Sequence, residues 1–277
     1  MQARSDAGNG TVREFLTGLG RAFAGALIFS LPMLMTMEMW WLGFYMSPLR
    51  LALLLIVMLP LLVGLSRIGG IRRTVHLSDD IADALVAIAV AFLSAAVTLW
   101  FFGLLTPDMP LREIIGKITI QVIPGSIGAM LAQNQLGGGE SDDEAAEQSY
   151  WGELFLMVVG ALFLSFNAAP TEEMVLIAYK MTVWKNVGLA VLSLILMHFI
   201  VYAAGFAGAE RTHPTASFLN IFARFSVAGY AAVLLVNLYI LWTFGRTDGA
   251  GLPQIISAVV VLSFPGAIGA AAARLIL

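Results

Sequence analysis

The sequence predicts an all-α fold, a polytopic bundle of transmembrane helices with eight spans arranged as two parallel four-helix repeats. Three observations lead to this prediction: long apolar runs, few charges, and a second half that repeats parts of the first. Hydrophobic residues make up 59% of the chain and charged residues only 12%, whereas soluble domains carry about 25% charged residues. This composition places the chain in a lipid bilayer.

The spans follow from the length of helix that crosses the hydrocarbon core, about 20 residues. Before them, residues 1–21 predict a cytoplasmic segment with a helix on the membrane interface, because residues 11–14 fit a capping box. The first repeat covers residues 22–133, the linker 134–151 and the second repeat 152–277. The predicted spans are 22–46, 49–66, 81–105, 112–133, 152–182, 186–208, 217–243 and 253–276.

The orientation follows from the distribution of basic residues. Because the number of spans is even, both termini lie on the same side of the membrane. That side is predicted to have nine of the fifteen Lys and Arg residues and the opposite side six. Basic residues are enriched in cytoplasmic loops, so both termini are expected in the cytoplasm.

The two halves match in two places. The segment GALIFSLPMLMTMEM at 25–39 and the segment GALFLSFNAAPTEEM at 160–174 align without a gap and are identical at seven of fifteen positions. Near the end of each half, IPGSIGA at 123–129 and FPGAIGA at 264–270 agree at five of seven positions. The two matches occur in the same order and at nearly the same spacing in both halves. Copies with four spans each run the same way through the membrane, which predicts a parallel repeat.

Two glutamates in apolar surroundings are the strongest functional signal. Glu38 matches Glu173, whereas Glu172 has no counterpart, since Met37 stands at its position. A carboxylate inside a span costs about 2.5–3.5 kcal/mol on insertion scales. Such groups with oxygen-bearing neighbours favour hard cations or protons. The predicted ion pathway consists of Glu38, Glu173, Glu172 as an auxiliary residue, Thr36, Thr171, Asn167, Ser30 and Ser165.

A helix break is expected beside these glutamates. The fifth predicted span is too long for one straight crossing, and Asn167 and Pro170 favour a break that frees backbone carbonyls for an ion. In the first half Pro32 lies six residues before Glu38, so the corresponding break is expected to be shifted. The alternative is that all the glutamates are ordinary acids of helix N-termini near the outer interface. Both interpretations are open at this point.

Other polar and small residues have structural explanations as well as functional ones. Pro124 and Pro265 are expected to kink their helices and Gly125 and Gly266 to allow close packing, with a gate or hinge as the alternative. Pro170 is predicted to contribute to the helix break in the fifth span. His198 is either a proton relay or a histidine bonded to a neighbouring helix. Glu113 and Lys117 fit a surface pair four residues apart, with Lys117 extending to the interface.

The sequence also excludes several classes of function. It contains no cysteine and no nucleotide-binding loop, metalloprotease motif or nucleophile elbow, so we expect neither an enzyme nor a cofactor, and no metal ion is assigned. The expected partners are membrane lipids and a cation or proton, without nucleic acid; assembly into a homo-oligomer is left open. The alternative function is a non-transporting membrane subunit that packs against a partner complex, which the small-residue last span and the acidic linker favour.

The T-x-E-M segments, the P-G-x-I-G-A segments and the acidic linker together resemble a family of bacterial integral membrane proteins grouped as conserved hypothetical proteins. The resemblance covers essentially the whole chain. It implies eight spans and the bacterial inner membrane, and it brings no established activity or site residues. Paired glutamates in duplicated halves are also similar to a feature of cation exchangers, although their acidic motif E-x-G-D-K is absent from this sequence.

Overall fold

The computed structural model describes residues 2–69, 76–136, 150–203 and 222–276. Within these ranges the regular structure is helical and contains no strand, so the all-α prediction is confirmed. The chain divides into two compact units, Met1–Glu144 and Ala145–Leu277. The boundary falls in the predicted linker, of which residues 137–149 lie outside the described ranges.

Within the described ranges the first unit has five helices. They are α1 (Gln2–Leu34), α2 (Met37–Tyr45), α3 (Pro48–Gly69), α4 (Leu77–Phe101) and α5 (Leu111–Leu136). Helix α5 packs against each of the other four, and every residue from 116 to 130 is buried. A helix that is buried on all sides forms the centre of a bundle, so α5 is the core of the first unit.

The described residues of the second unit also form five α-helices. They are α6 (Tyr150–Ala168), α7 (Glu172–Lys180), α8 (Val183–His198), α9 (Ala228–Thr243) and α10 (Leu252–Ile276). Helix α8 continues as a π-helical turn, Phe199–Ala203, and a second π-helical turn, Phe222–Val227, leads into α9. Helix α10 packs against α6, α7, α8 and α9, and it occupies the centre of this unit as α5 does in the first.

Eight of these helices are long and apolar enough to cross a membrane, which confirms the predicted number of spans. The exceptions are α2 and α7, with nine residues each. At 1.5 Å per residue a nine-residue helix is only about 14 Å long, less than half the hydrocarbon thickness. The predicted interfacial segment, residues 1–21, runs into the first span as part of the single helix α1; its position on the interface stays a prediction.

The helices of the first and fifth predicted spans each end earlier than expected, where the helix is interrupted. The fifth breaks as predicted: α6 ends at Ala168, and α7 begins at Glu172. The first does not break near Pro32, because Pro32 lies inside α1, and the interruption comes at positions 35 and 36. These positions align with 170 and 171 when the two matching segments are superposed. The expectation of a shifted break was therefore wrong, since the two breaks correspond.

Candidate functional site

The break in the first unit is closed by side chains. The last four carbonyls of a helix have no donor within it. In α1 those of residues 31 and 33 accept the amides of Met35 and Thr36 at 3.1 Å, and side chains donate to those of residues 32, 33 and 34. Thr36 Oγ1 donates to the first of them at 2.6 Å, Gln121 Nε2 to the second at 3.4 Å and Trp40 Nε1 to the third at 2.8 Å. These carbonyls are therefore occupied by protein donors.

Ser30 and Glu38 lie on either side of this break. Ser30 is 2% exposed and its Oγ donates to the Ala26 carbonyl at 2.6 Å, within its own helix. Glu38 is half-buried in the first turn of α2, which follows the extended residue Thr36. A carboxylate in a first helical turn is stabilised by the helix dipole, so the position of Glu38 fits both interpretations of the glutamates.

The break in the second unit is built differently. Thr171 caps α7, because its Oγ1 accepts a hydrogen bond from the Met174 amide at 3.4 Å. The same hydroxyl donates to the Ala168 carbonyl at 2.8 Å. Asn167 Nδ2 donates to the Phe163 carbonyl at 2.8 Å. The side chains of both predicted pathway residues, Asn167 and Thr171, thus stabilise the end of α6 and the start of α7.

Arg246 clamps this second break. It follows α9, and its guanidinium donates to the carbonyl of Pro170 and to Glu172 Oε1, with both terminal nitrogens 3.1 Å from that oxygen. The Glu172 side chain is 69% exposed and that of Arg246 only 17%. Glu172, predicted as an auxiliary pathway residue, therefore has a partner inside its own unit, and Pro170 stands between two helices.

Glu173 is exposed in the first turn of α7. It occupies the second position of that helix, as Glu38 does in α2. Each unit thus has a glutamate at the second position of a short helix beside a break. The pairing of Glu38 with Glu173 stays a prediction.

Pro124 and Pro265 lie inside the central helices α5 and α10. The glycine after each proline lies close to a residue of another helix, as expected if these glycines allow close packing. A Cβ at Gly125 would lie 3.0 Å from the Cβ of Ala91, and one at Gly266 would lie 2.7 Å from Ser165 Oγ. Alanine at Gly266 would therefore force a shift in the second unit.

His198 has a neighbouring hydrogen-bonding partner. Its Nδ1 lies 2.7 Å from Ser226 Oγ, on the π-helical turn before α9, and its ring meets Phe222 edge to face. This contact agrees with a histidine bonded to a neighbouring helix. The role of a proton relay stays a prediction.

Lys117 corrects one expectation from the sequence. It does form an ion pair with Glu113, at 2.7 Å, but Lys117 is only 8% exposed and does not extend along a surface. Its Nζ also donates to the Leu104 carbonyl at 3.3 Å, and its backbone lies against Gly43 of α2. Lys117 is buried where α2 packs against it, a contact that residue spacing does not predict.

Three polar residues that contribute to these contacts or lie buried nearby were not predicted from the sequence: Gln121, Arg246 and Asn237. The signal for Asn237 was available, since it is an amide within the apolar run VLLVNLYIL. It is 0% exposed in the second unit. Within the described ranges no group of three or more His, Cys, Asp or Glu residues could hold a metal ion. Carboxylate-rich sites of the kind that bind divalent ions are thus not found in this part of the chain.

Comparison with known proteins agrees with the helical architecture. A family model described as "Putative integral membrane protein (DUF2391)" matches residues 18–277. Neither a curated protein nor a solved structure is significantly similar to this chain. The match covers all eight candidate spans apart from the first two residues of the first one. The chain therefore belongs to the DUF2391 family of integral membrane proteins.

Proposed function

We propose that this protein conducts or transports cations or protons across the membrane, with Glu38 and Glu173 as its paired acidic residues. One observation carries the proposal: each glutamate is the second residue of a nine-residue helix that follows a break in an apolar helix. Broken helices in transporters place ion-binding groups beside the gap. We propose no enzymatic activity.

The pairing requires that the two units are copies of one ancestor, and their internal contacts support this. In the first unit a Cβ at Gly25 would overlap the carbonyl oxygen of Gly128. In the second a Cβ at Gly160 would overlap the carbonyl oxygen of Gly269. Gly25 aligns with Gly160 in the first matching segment, and Gly128 aligns with Gly269 in the second. The first and last helices of each unit thus cross at corresponding glycines.

The short helices dock on the central helices at corresponding positions too. Gly43 of α2 meets Gly116 of α5 closely, since a Cβ at Gly116 would overlap the Gly43 carbonyl oxygen. In the second unit Ser257 of α10 donates to the carbonyl of Ala178 in α7 at 2.6 Å. Extending the two alignments places position 43 opposite 178 and position 116 opposite 257. Equivalent docking of α2 and α7 supports equivalent roles for the glutamates they carry.

The C-terminal ends of α4 and α9 also correspond between the two units. Gly103 after α4 has φ +72° and Gly245 after α9 has φ +74°. Their amides donate to the carbonyls of Trp100 and Trp242 at 3.0 and 3.1 Å. Glycine is favoured at such a left-handed helix end because it has no Cβ. A third pair of matching details between the units supports duplication.

Glu172 has a different role in this proposal. Its carboxylate is held by Arg246, and the position that corresponds to Arg246 in the first unit is occupied by Leu104. The Arg246 clamp is thus specific to the second unit. We propose that Glu172 stabilises the break, and that Glu38 and Glu173 act on the ion.

The competing function is a non-transporting subunit that packs against a partner complex. The small residues of the last span had favoured it. In the structure several of them are used inside the second unit, where Gly269 meets Gly160 and Ala267, Ala270 and Ala271 are buried in the core. The acidic linker is the remaining argument, and residues 137–149 of it lie outside the described ranges. This competitor predicts stoichiometric partners after purification from native membrane.

Ion flux into proteoliposomes tests the proposed function. We expect Glu38→Gln and Glu173→Gln each to lower flux of the transported cation or proton about ten-fold or more, since a contact to a charged group contributes about 1.5–3 kcal/mol. Asp79→Asn is the matched control, because Asp79 is also an exposed acid in a first helical turn. Wild-type flux in both glutamine variants would eliminate the assignment.

The membrane and orientation also belong to the proposal. We propose the bacterial inner membrane, with both termini in the cytoplasm, because nine of the fifteen basic residues are predicted on the side of the termini. Reporter fusions at the C-terminus and at Asp108, between α4 and α5, should report opposite sides. The same side for both would contradict the topology.

A further inference from the structure

A group of polar side chains is buried in the second unit away from the glutamates. Ser165 of α6 and Asn237 of α9 are both 0% exposed. Both lie against Gly266 of α10: a Cβ there would lie 2.7 Å from Ser165 Oγ and 3.2 Å from Asn237 Nδ2. Three helices therefore bring a hydroxyl and an amide to one place, beside a residue that has no side chain.

Neither side chain is satisfied by the protein. Ser165 Oγ and both polar atoms of the Asn237 amide are buried without a hydrogen-bond partner in the described part of the chain. Buried polar groups are nearly always hydrogen-bonded, and one that is not costs about 1–3 kcal/mol by mutational data. The surroundings are apolar, with Val233 beside Gly266 and Phe166 fully buried next to Ser165. Such a group points to a bound polar ligand.

Two prolines each remove one helical hydrogen bond in the same helices. Proline has no N–H, so the carbonyl four residues before it receives no helical hydrogen bond from it. Pro170 has this effect on the carbonyl of Phe166 in α6, and Pro265 on that of Val261 in α10. Phe166 directly follows Ser165, and Pro265 directly precedes Gly266. The two helices that flank the polar group thus each carry a carbonyl that lacks its usual helical donor.

The serine at the corresponding position of the first unit is hydrogen-bonded. Ser30 corresponds to Ser165, and its hydroxyl donates to the Ala26 carbonyl. Ala95 stands where the second unit has Asn237, when the Leu-Trp pair at 99–100 is aligned with the Leu-Trp pair at 241–242. An amide and a free hydroxyl therefore occur together only in the second of these two corresponding places.

We propose that Ser165 and Asn237, beside Gly266, form a binding site for one dehydrated monovalent cation. The side chains that form it supply uncharged oxygens, a hydroxyl and an amide oxygen, and α6 and α10 each carry a carbonyl without its usual helical donor. Neutral oxygens replace the hydration shell of monovalent ions in membrane proteins, whereas divalent calcium is bound with carboxylates. The Asn237 amide presents its oxygen to the site after a half-turn about its last side-chain bond, since the two ends have the same shape.

The site deepens the proposed function, on which it rests, because it names the class of ion as a monovalent metal cation. It also assigns the ion a position in the second unit that is separate from Glu173. An ion held by neutral ligands binds in a manner independent of pH. Binding at a glutamate that carries protons, in contrast, depends on pH.

Thermal unfolding in detergent tests the site without any transport measurement. The protein is unfolded in NaCl, KCl and choline chloride at equal ionic strength. Ligand binding to the folded state raises Tm, and we expect NaCl or KCl at ten times Kd to raise it by roughly 3–5 °C over choline. Ser165→Ala and Asn237→Ala should abolish this shift. Ser165→Ala removes one atom, so it stays informative if Asn237→Ala fails to fold.

Ser126→Ala is the control. Ser126 is a buried serine of the first unit whose hydroxyl donates to the Val122 carbonyl at 2.7 Å, and alanine stands at the corresponding position 267. This variant should keep the full shift. A wild-type Tm that is equal in all three salts, or a shift that survives Ser165→Ala, would overturn the proposed site. Neither result bears on flux through Glu38 and Glu173, and loss of that proposal would leave the Tm shift intact.

Discussion

Replacing Arg246 by leucine, the residue that the first unit has at this position, should destabilise the second unit. Two interactions are lost. The ion pair with Glu172 contributes little, about 0–1 kcal/mol, because the Glu172 side chain is 69% exposed. The carbonyl of Pro170 matters more, since Pro170 is buried and Arg246 donates to it. A buried acceptor without its donor costs about 1–3 kcal/mol, so most of the expected loss comes from this oxygen.

The assay is equilibrium unfolding of the purified protein in detergent. For a chain of this size a loss of about 1–3 kcal/mol lowers Tm by roughly 2–10 °C. Glu172→Gln is the matched variant: it removes the ion pair and leaves the bond to Pro170, so its effect should stay below about 1 kcal/mol. Equal destabilisation by Arg246→Leu and Glu172→Gln would refute the reasoning, because it would mean that the exposed ion pair is the main contribution of Arg246.

Two further predictions concern a close helix contact and a buried ion pair of the second unit. Gly160→Ala should lower the free energy of unfolding by about 1–3 kcal/mol, because its Cβ would overlap a backbone oxygen of α10; Gly188→Ala, with nothing within 4 Å, should be neutral or stabilising in the same thermal assay. Glu153→Gln should cost about 3–5 kcal/mol, since its side chain is 4% exposed and lies 2.7 Å from that of Arg274. Adding Arg274→Met should recover part of that loss, and full additivity of the two changes in a double-mutant cycle would contradict the pairing.

The two helix breaks differ in whether local sequence predicts their position. The break after Ala168 was predictable because span length, Asn167 and Pro170 all indicated it. The position of the break at Thr36 was not predictable in this way, because Pro32 indicated a break at an earlier residue. A proline removes only one helical hydrogen bond, and α1 continues through it. The last turn of α1 ends where Gln121, far away in the chain, supplies a donor to one of its carbonyls.

The glutamates and the polar group around Asn237 also differ in whether the sequence predicts them. Glu38 and Glu173 are visible in the sequence because a repeat aligns them and because carboxylates are rare in apolar runs. The group around Asn237 combines residues from three helices, spread between positions 165 and 266 of the chain. No spacing rule links Ser165 to Asn237. Their proximity follows from the way α6, α9 and α10 pack.

The membrane class, the eight spans and the matching segments of the two halves can be predicted from the sequence, because these depend on composition and on the period within one helix. Which polar groups are hydrogen-bonded depends on how the helices pack. A carbonyl at a break is free or occupied according to donors that lie elsewhere in the chain, such as Arg246 for Pro170 and Trp40 for Leu34. The same holds for Lys117, which the sequence placed at a surface and which is buried where α2 packs against it.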